Sequence, residues 1–229
     1  MRRPSLPRLA ALVLGAAFAL LHGARAHEGH APRPAAASVF PIPAPGSYRL
    51  PPIKPASGGT VLDEAGVRRD LLEEPRGITV LALIYTRCGD VCPLASADMA
   101  RLQDLAATDP GLARRMRLVT LSFDPEHDTP GVMRSFAAAW RSADPAAPAW
   151  AFLTAPDRAA LAPILTAYGQ RVDAKADGGL NHVFRAFLID RRGSVRNIYS
   201  LDFFEPALVL TDIRTLLLEE SGAGGAQAR

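Results

Sequence analysis

An apolar run rich in β-branched residues, Ile78 to Tyr85 (ITVLALIY), limits the choice of fold more than any other feature of this sequence. Its residues do not alternate between apolar and polar, which is typical of a strand that is covered on both faces of its sheet. Such strands are typical of sheets with helices packed on both faces. The run therefore predicts an α/β fold.

The rest of the chain alternates strands and helices in an order that narrows this class. A hairpin is predicted from Thr60 to Arg69, ahead of the apolar run. Further strands are predicted at Met116 to Phe123, Trp150 to Leu153, Val183 to Asp190 and Val195 to Ser200. Helices are predicted at Cys92 to Ala107, Pro130 to Trp140, Asp157 to Tyr168 and Glu205 to Glu220. Thr129 is placed as an N-cap and Gly169 as a helix end. The order predicts a thioredoxin-like mixed sheet flanked by helices, with an N-terminal hairpin. A doubly wound parallel sheet is the alternative, which the late hairpin around Gly193 disfavours.

The ends of the chain differ in composition from its middle. Residues 1–26 resemble a signal peptide, with Arg2 and Arg3, an apolar run and the small-x-small site Ala24-Arg25-Ala26. The apolar run is about 13 residues, shorter than the roughly 20 that cross a bilayer, so cleavage is favoured over an uncleaved membrane anchor. We expect a Pro/Ala-rich linker at 27–56, the folded domain at 57–220 and a flexible tail at 221–229. The expected location is the periplasm.

The basic charge of the chain belongs to the leader. Without its four arginines, the chain has 22 basic and 23 acidic residues, a net charge of −1 rather than +3. Nucleic-acid binding therefore loses its main support.

The two cysteines, Cys88 and Cys92, lie where the buried strand ends and the next helix begins, within YTRCGDVCP. Cysteines four residues apart across a helix start share one face, and the backbone N–H groups there favour thiolates. Such a pair can bind a soft metal ion through two thiolates, or it can form a reversible disulfide. The sequence alone does not decide between the two.

His182 is the candidate third ligand, in a glycine-containing loop just before the strand at Val183. Thioredoxin-like topology would bring this loop to the edge that carries Cys88 and Cys92. Two thiolates and one imidazole suit Cu(I), whereas structural zinc usually has four protein ligands. A solvated loop histidine is the alternative.

These residues resemble the Sco/SenC family of copper-binding proteins. That family has a similar TxCPDVCP segment, a DPxxDTP loop, matched here by DPEHDTP from Asp124 to Pro130, and a histidine shortly before a YLID-like strand, matched here by His182 and the FLID segment. The resemblance covers roughly Leu62 to Leu217.

The resemblance implies a thioredoxin fold and one copper ion, Cu(I) or Cu(II), held by Cys88, Cys92 and His182. It also implies a metallochaperone role in assembling the dinuclear copper centre of cytochrome c oxidase. The expected partners are the copper-receiving oxidase subunit and another periplasmic copper chaperone. The protein is expected to be a monomer that works near the membrane surface. The alternative is a thiol–disulfide oxidoreductase that uses Cys88 and Cys92 on target cysteines, so whether the protein is an enzyme stays open. Gly89 departs from the family, which has proline there, and most relatives are membrane-anchored.

Other candidate residues have simpler explanations. Asp90 is expected to cap the following helix rather than to bind metal, and Asp124 and Asp128 are expected to stabilise a turn rather than to form a catalytic pair. His127 is expected to be exposed, and Arg87 to be solvated rather than to lower the pKa of Cys88.

Two further pairs of residues carry side chains that can bind copper. Met99 and Met133 fall on apolar helix stripes and are expected in the core. His27 and His30 would follow the cleavage site and offer a secondary copper chelate, which disordered starts of this kind rarely form.

Overall fold

The predicted central strand is Ile78–Ile84, and all seven of its residues are buried in the computed structural model, which describes residues 41–73, 77–176 and 178–226. It lies between Met116–Ser122, to which it is parallel, and Ala186–Ile189, to which it is antiparallel. Burial along its whole length means that both faces of the sheet are covered.

In chain order the strands are β1 (Lys54–Pro55), β2 (Thr60–Leu62), β3 (Arg68–Asp70), β4 (Ile78–Ile84), β5 (Met116–Ser122), β6 (Trp150–Leu153), β7 (Val172–Ala174), β8 (Leu180–His182), β9 (Ala186–Ile189) and β10 (Ser194–Tyr199). Six of them form the main sheet, in the order β1-β10-β9-β4-β5-β6. Strands β4, β5 and β6 run parallel, whereas β9, β10 and β1 pair antiparallel. The predicted mixed, thioredoxin-like sheet is confirmed, and the doubly wound parallel alternative is wrong.

The helices are α1 (Val91–Ala107), α2 (Pro110–Ala113), α3 (Pro130–Trp140), α4 (Arg158–Tyr168) and α5 (Pro206–Ala226). The predicted caps are present: the Thr129 side chain accepts from the Val132 N–H, and Gly169 ends α4 at a φ of 66°. Such a positive φ favours glycine because a Cβ would clash with the backbone. Met99 and Met133 are core residues, 1% and 0% exposed.

The sequence does not predict the short elements β1, α2, β7 and β8, and it predicts one strand too long. The first strand residue after the histidine is Ala186 rather than Val183. His182 is not in a loop, because it ends β8, which pairs with β7 in a separate two-stranded sheet. These strands have three residues each, too few to show an alternating pattern.

The described half of the segment assigned to the linker, residues 41–56, packs against the domain. Lys54 and Pro55 pair with β10 at the sheet edge, where a missing proline N–H costs no ladder bond. Leu50 is buried, and the Gly46 N–H donates to Thr215 Oγ1 at 3.0 Å. Prolines exclude a central strand, but they do not prevent irregular chain from lying along an edge.

One residue of this segment, Tyr48, binds a buried carboxylate. Asp212 of α5 is 1% exposed and accepts hydrogen bonds from the Tyr48 hydroxyl, the Tyr199 hydroxyl (2.6 Å) and the Asn197 amide (2.9 Å). Burial raises the pKa of Tyr48 well above its ordinary value, and the bond to Asp212 adds to the shift. Tyr48 therefore joins the N-terminal segment to the last helix.

The C-terminal prediction also differs from the structure, because α5 continues to Ala226 instead of ending at Glu220. Glycines weaken a helix without ending it as proline does. Residues 1–40, including the expected signal peptide, His27 and His30, lie outside the described residues, as do 227–229. No helix in the described ranges is both long and apolar enough to span a bilayer.

We expect Tyr48→Phe to lower the free energy of unfolding by about 1.5 kcal/mol, the lower range for a hydrogen bond to a charged group. Denaturant unfolding measures this loss, with Ser47→Ala, next to it in an exposed turn, as the control. Unchanged stability of Tyr48→Phe would show that the hydrogen bond from Tyr48 to Asp212 does not stabilise the folded domain.

Candidate metal centre

The cysteines lie in the connection from β4 to α1. Cys88 is in the turn, where its N–H donates to the Tyr85 carbonyl at 3.3 Å, and Cys92 is the second residue of α1. Both are free thiols and both are buried, with 6% of Cys88 and 1% of Cys92 exposed. The turn between β4 and α1 thus places both sulfurs at the carboxyl end of the central strand.

His182 reaches the same place from a distant part of the chain. Its Nε2 is 3.5 Å from the Cys92 sulfur, and the ligand atoms of Cys88, Cys92 and His182 all lie within 4.8 Å of one another. No other group of three potential metal ligands of this kind is found in the described part of the chain. The structure therefore brings together the three residues that the sequence singled out.

The second ring nitrogen fixes which tautomer His182 adopts. Nδ1 lies 3.2 Å from the Leu180 carbonyl, and a carbonyl only accepts, so Nδ1 carries the proton. In the neutral imidazole the lone pair is then on Nε2, which faces the sulfurs. The imidazole is oriented as a metal ligand.

Aromatic rings and one amide support the imidazole. The Phe123 ring centroid lies 5.0 Å from that of His182, and Tyr85 meets the imidazole edge-on at 5.3 Å. The Gln170 amide donates to the Val183 carbonyl at 3.1 Å, next to the histidine. These contacts restrict rotation of the ring away from the sulfurs.

The Asp128 carboxylate holds the segment that leads into Cys88. Asp128 is fully buried and accepts from the Thr86 N–H (2.9 Å), the Thr86 hydroxyl and the Ser122 hydroxyl. Asp128 was predicted to stabilise a turn, but it also holds Thr86 in the segment before Cys88. The residue pattern of this loop does not indicate that it contacts the cysteine loop, although both loops follow neighbouring parallel strands.

Asp124 binds Arg87, which follows Thr86 in the segment that leads into Cys88. Its side chain is 2% exposed and binds Arg87 Nη2 at 2.8 Å and His127 Nδ1 at 3.0 Å. Burial raises the pKa of Asp124, but the bonds from Arg87 and His127 outweigh this and hold the pKa below its ordinary value. Arg87 is exposed, as predicted, and its guanidinium also binds Asp124. His127 is exposed, as predicted.

The residues between the cysteines are open. Asp90 is exposed and stands at the N-cap position, but its side chain makes no capping hydrogen bond, so the predicted cap is wrong. Gly89 has no heavy atom within 4 Å of the position that a Cβ would occupy. Gly89 and Asp90, between the two cysteines, are therefore exposed at the protein surface.

The two thiols differ in their surroundings. The Cys92 N–H donates to the Cys88 sulfur at 3.5 Å. Burial raises the pKa of the Cys92 thiol well above its ordinary value, and the neighbouring Cys88 sulfur raises it further. A bound cation would therefore displace the proton of Cys92.

A cleft of about 480 Å³ opens over the site, lined on one side by Cys88, Gly89 and Asp90 and on the other by Lys175, Asn181 and His182. Buried Cys92 completes, with the Cys88 and His182 that line the cleft, a soft donor set of two sulfurs and one imidazole, which fits a soft, low-coordinate metal ion. Met99 and Met133 are in the core and are not part of this set.

Fold and site together define a thioredoxin-like protein with a potential metal site made of two thiols and one imidazole. The SCO1/SenC family model matches residues 63–218, and the chain belongs to that family. No curated protein sequence matches the chain significantly.

Solved structures agree with this fold. A SCO1/SenC family lipoprotein from Bacillus anthracis is 21% identical, with a TM-score of 0.64 over 75% of this chain and 99% of that one. ScoI of Bradyrhizobium japonicum, solved with copper bound, is 23% identical, with a TM-score of 0.54 over 68% and 96%. BsSco, described as a member of the Sco family of cytochrome c oxidase assembly proteins with a disulfide switch, is 20% identical, with a TM-score of 0.59 over 73% and 97%.

We expect Asp128→Ala to lower the free energy of unfolding by about 3 kcal/mol, because it leaves the donors of Thr86 and Ser122 without their acceptor. Asp157→Ala is the matched control: it removes an exposed helix cap and costs about 1 kcal/mol. Denaturant unfolding of the metal-free protein measures both. Equal losses in the two variants would contradict a special role for Asp128.

Proposed function

We propose that this protein is a periplasmic copper metallochaperone that helps to assemble the dinuclear copper centre of cytochrome c oxidase. One copper ion is its cargo, held by Cys88, Cys92 and His182. The observation that carries the proposal is the convergence of the three donor atoms within 4.8 Å, with Nε2 of His182 directed at the sulfurs.

The donor set favours copper over zinc. Structural zinc sites usually have four protein ligands, whereas Cu(I) accepts fewer and softer donors. Three such donors converge here among the described residues. The copper-bound structure of the Bradyrhizobium relative supports the same choice.

The oxidase role is supported by family membership and by the description of BsSco as a member of a family of oxidase assembly proteins. The periplasmic location is supported by the leader, with its basic start and small-x-small site. We propose that the protein acts as a monomer near the membrane surface. Its partners would be the copper-receiving oxidase subunit and a second periplasmic copper chaperone.

A thiol–disulfide oxidoreductase is the second candidate, because the two sulfurs are close and both thiols are free. In that reaction Cys88 and Cys92 would be oxidised to a disulfide, and the target disulfide would take up the two electrons and two protons as two thiols. The disulfide switch described for BsSco supports this candidate.

We expect the reduced protein to bind one Cu(I) tightly, and His182→Ala to weaken binding by at least about a hundredfold, since losing partners outside the ligand set already costs about 10–100-fold. Anaerobic titration against a competing Cu(I) chelator measures the affinity. His127→Ala, which removes an exposed histidine outside the site, is the control and should bind as the wild type does. Equal affinities of wild type and His182→Ala would exclude His182 as a ligand.

A transfer assay separates the two functions. The soluble copper-binding domain of the oxidase subunit is prepared with its two cysteines reduced, or with them oxidised to a disulfide. For a metallochaperone, we expect the copper-loaded protein to transfer copper to the reduced domain, and His182→Ala to lose this transfer. Thiol counts after mixing metal-free protein with the oxidised domain measure reduction. Reduction that survives His182→Ala, without copper transfer by the wild type, would favour the oxidoreductase.

A further inference from the structure

Tyr85 links the loop that carries Cys88 to the strand that carries His182. Its backbone carbonyl accepts the Cys88 N–H at 3.3 Å, and its ring meets the imidazole edge-on, with an interplanar angle of 85°. The side chain is buried, at the end of the central strand. Tyr85 is therefore fixed in the rigid part of the sheet while it contacts a more peripheral element.

The phenolic hydroxyl contacts both backbone groups of one residue in β8. It accepts from the Leu180 N–H at 3.3 Å and lies 3.5 Å from the Leu180 carbonyl, to which it donates. The same carbonyl accepts from His182 Nδ1 at 3.2 Å. Leu180 thus connects the tyrosine hydroxyl to the nitrogen that sets the tautomer of the histidine.

Strand β8 depends on such contacts because it lies outside the six-stranded sheet. It has three residues and pairs with β7, itself a three-residue strand. Beyond its other end, the Gln170 amide holds Val183. A two-stranded hairpin is marginally stable by itself, so tertiary hydrogen bonds must decide where its residues lie.

Building on the proposed function, we infer that Tyr85 is a positioning residue, whose hydroxyl holds Leu180 so that His182 presents Nε2 to the two sulfurs. The ring alone would keep the apolar contact with the imidazole. The hydroxyl adds hydrogen bonds that fix the position of β8 relative to the central strand. They keep the Leu180 carbonyl where Nδ1 of His182 donates to it.

Tyr85→Phe tests this inference, because it removes the hydroxyl and keeps the ring. We expect the affinity for Cu(I) to fall about tenfold, the lower range for losing a hydrogen bond behind a metal ligand. The Cu(II)–thiolate absorption bands should also shift, which a loss of global stability would not produce. Tyr168→Phe is the matched control: it removes another buried hydroxyl, which donates to the Ser57 carbonyl at 3.0 Å, and should leave both properties unchanged.

Amide hydrogen exchange checks the geometry without metal. The Leu180 N–H loses its acceptor in Tyr85→Phe, so its exchange should accelerate relative to that of the wild type and of Tyr168→Phe. Unchanged exchange at Leu180 would overturn the inference whatever the copper affinity.

The double variant Tyr85→Phe/His182→Ala separates this inference from the proposed function. If Tyr85 acts through His182, the double variant binds Cu(I) as weakly as His182→Ala alone. An additional tenfold loss in the double variant would show that Tyr85 acts elsewhere. Wild-type affinity of His182→Ala would instead refute the proposed site, whereas wild-type affinity of Tyr85→Phe, with His182→Ala weakened, would refute the positioning role alone.

Discussion

The candidate site depends on one buried carboxylate, that of Asp128. It joins the ends of two neighbouring parallel strands by binding Thr86, after β4, and Ser122, the last residue of β5. An ionised group without solvent is costly unless its partners satisfy it, so the carboxylate and its three donors are stable only together. The backbone that enters the cysteine loop is therefore fixed before any metal binds, and the positions of both sulfurs follow from it.

Much of the fold could be predicted from the sequence because the relevant signals are local. The burial of β4 follows from its composition, and the ends of α3 and α4 follow from Thr129 and Gly169. The packing of Tyr48 and Leu50 could not be predicted, because it depends on partners more than 140 residues away, Asp212 and Arg196. Proline content describes what a segment cannot form by itself, and says little about the surface along which it lies.

Some features of the site could likewise be predicted from the sequence, and others could not. The spacing of Cys88 and Cys92 across a helix start implies that their sulfurs are neighbours, and the structure places them so. His182, 90 residues from Cys92, was singled out only by topology and by family resemblance. Its tautomer and its support by Phe123 are properties of the folded chain, and a sequence pattern cannot contain them. Asp90 shows the opposite limit, because a residue of the right type at the N-cap position makes no cap.

The contacts around the three ligands are unequal, and this matters for a cargo site. Behind the ligands, Asp124, Asp128 and the core strands restrict movement, whereas Gly89 and Asp90 in front are exposed. If copper is cargo, as proposed, an incoming ligand must reach it while the protein ligands still hold it, and a cage closed on every side would prevent that exchange. A donor set that is rigid behind and open on the side of Gly89 and Asp90 keeps the affinity that preorganisation gives and leaves one direction free for transfer.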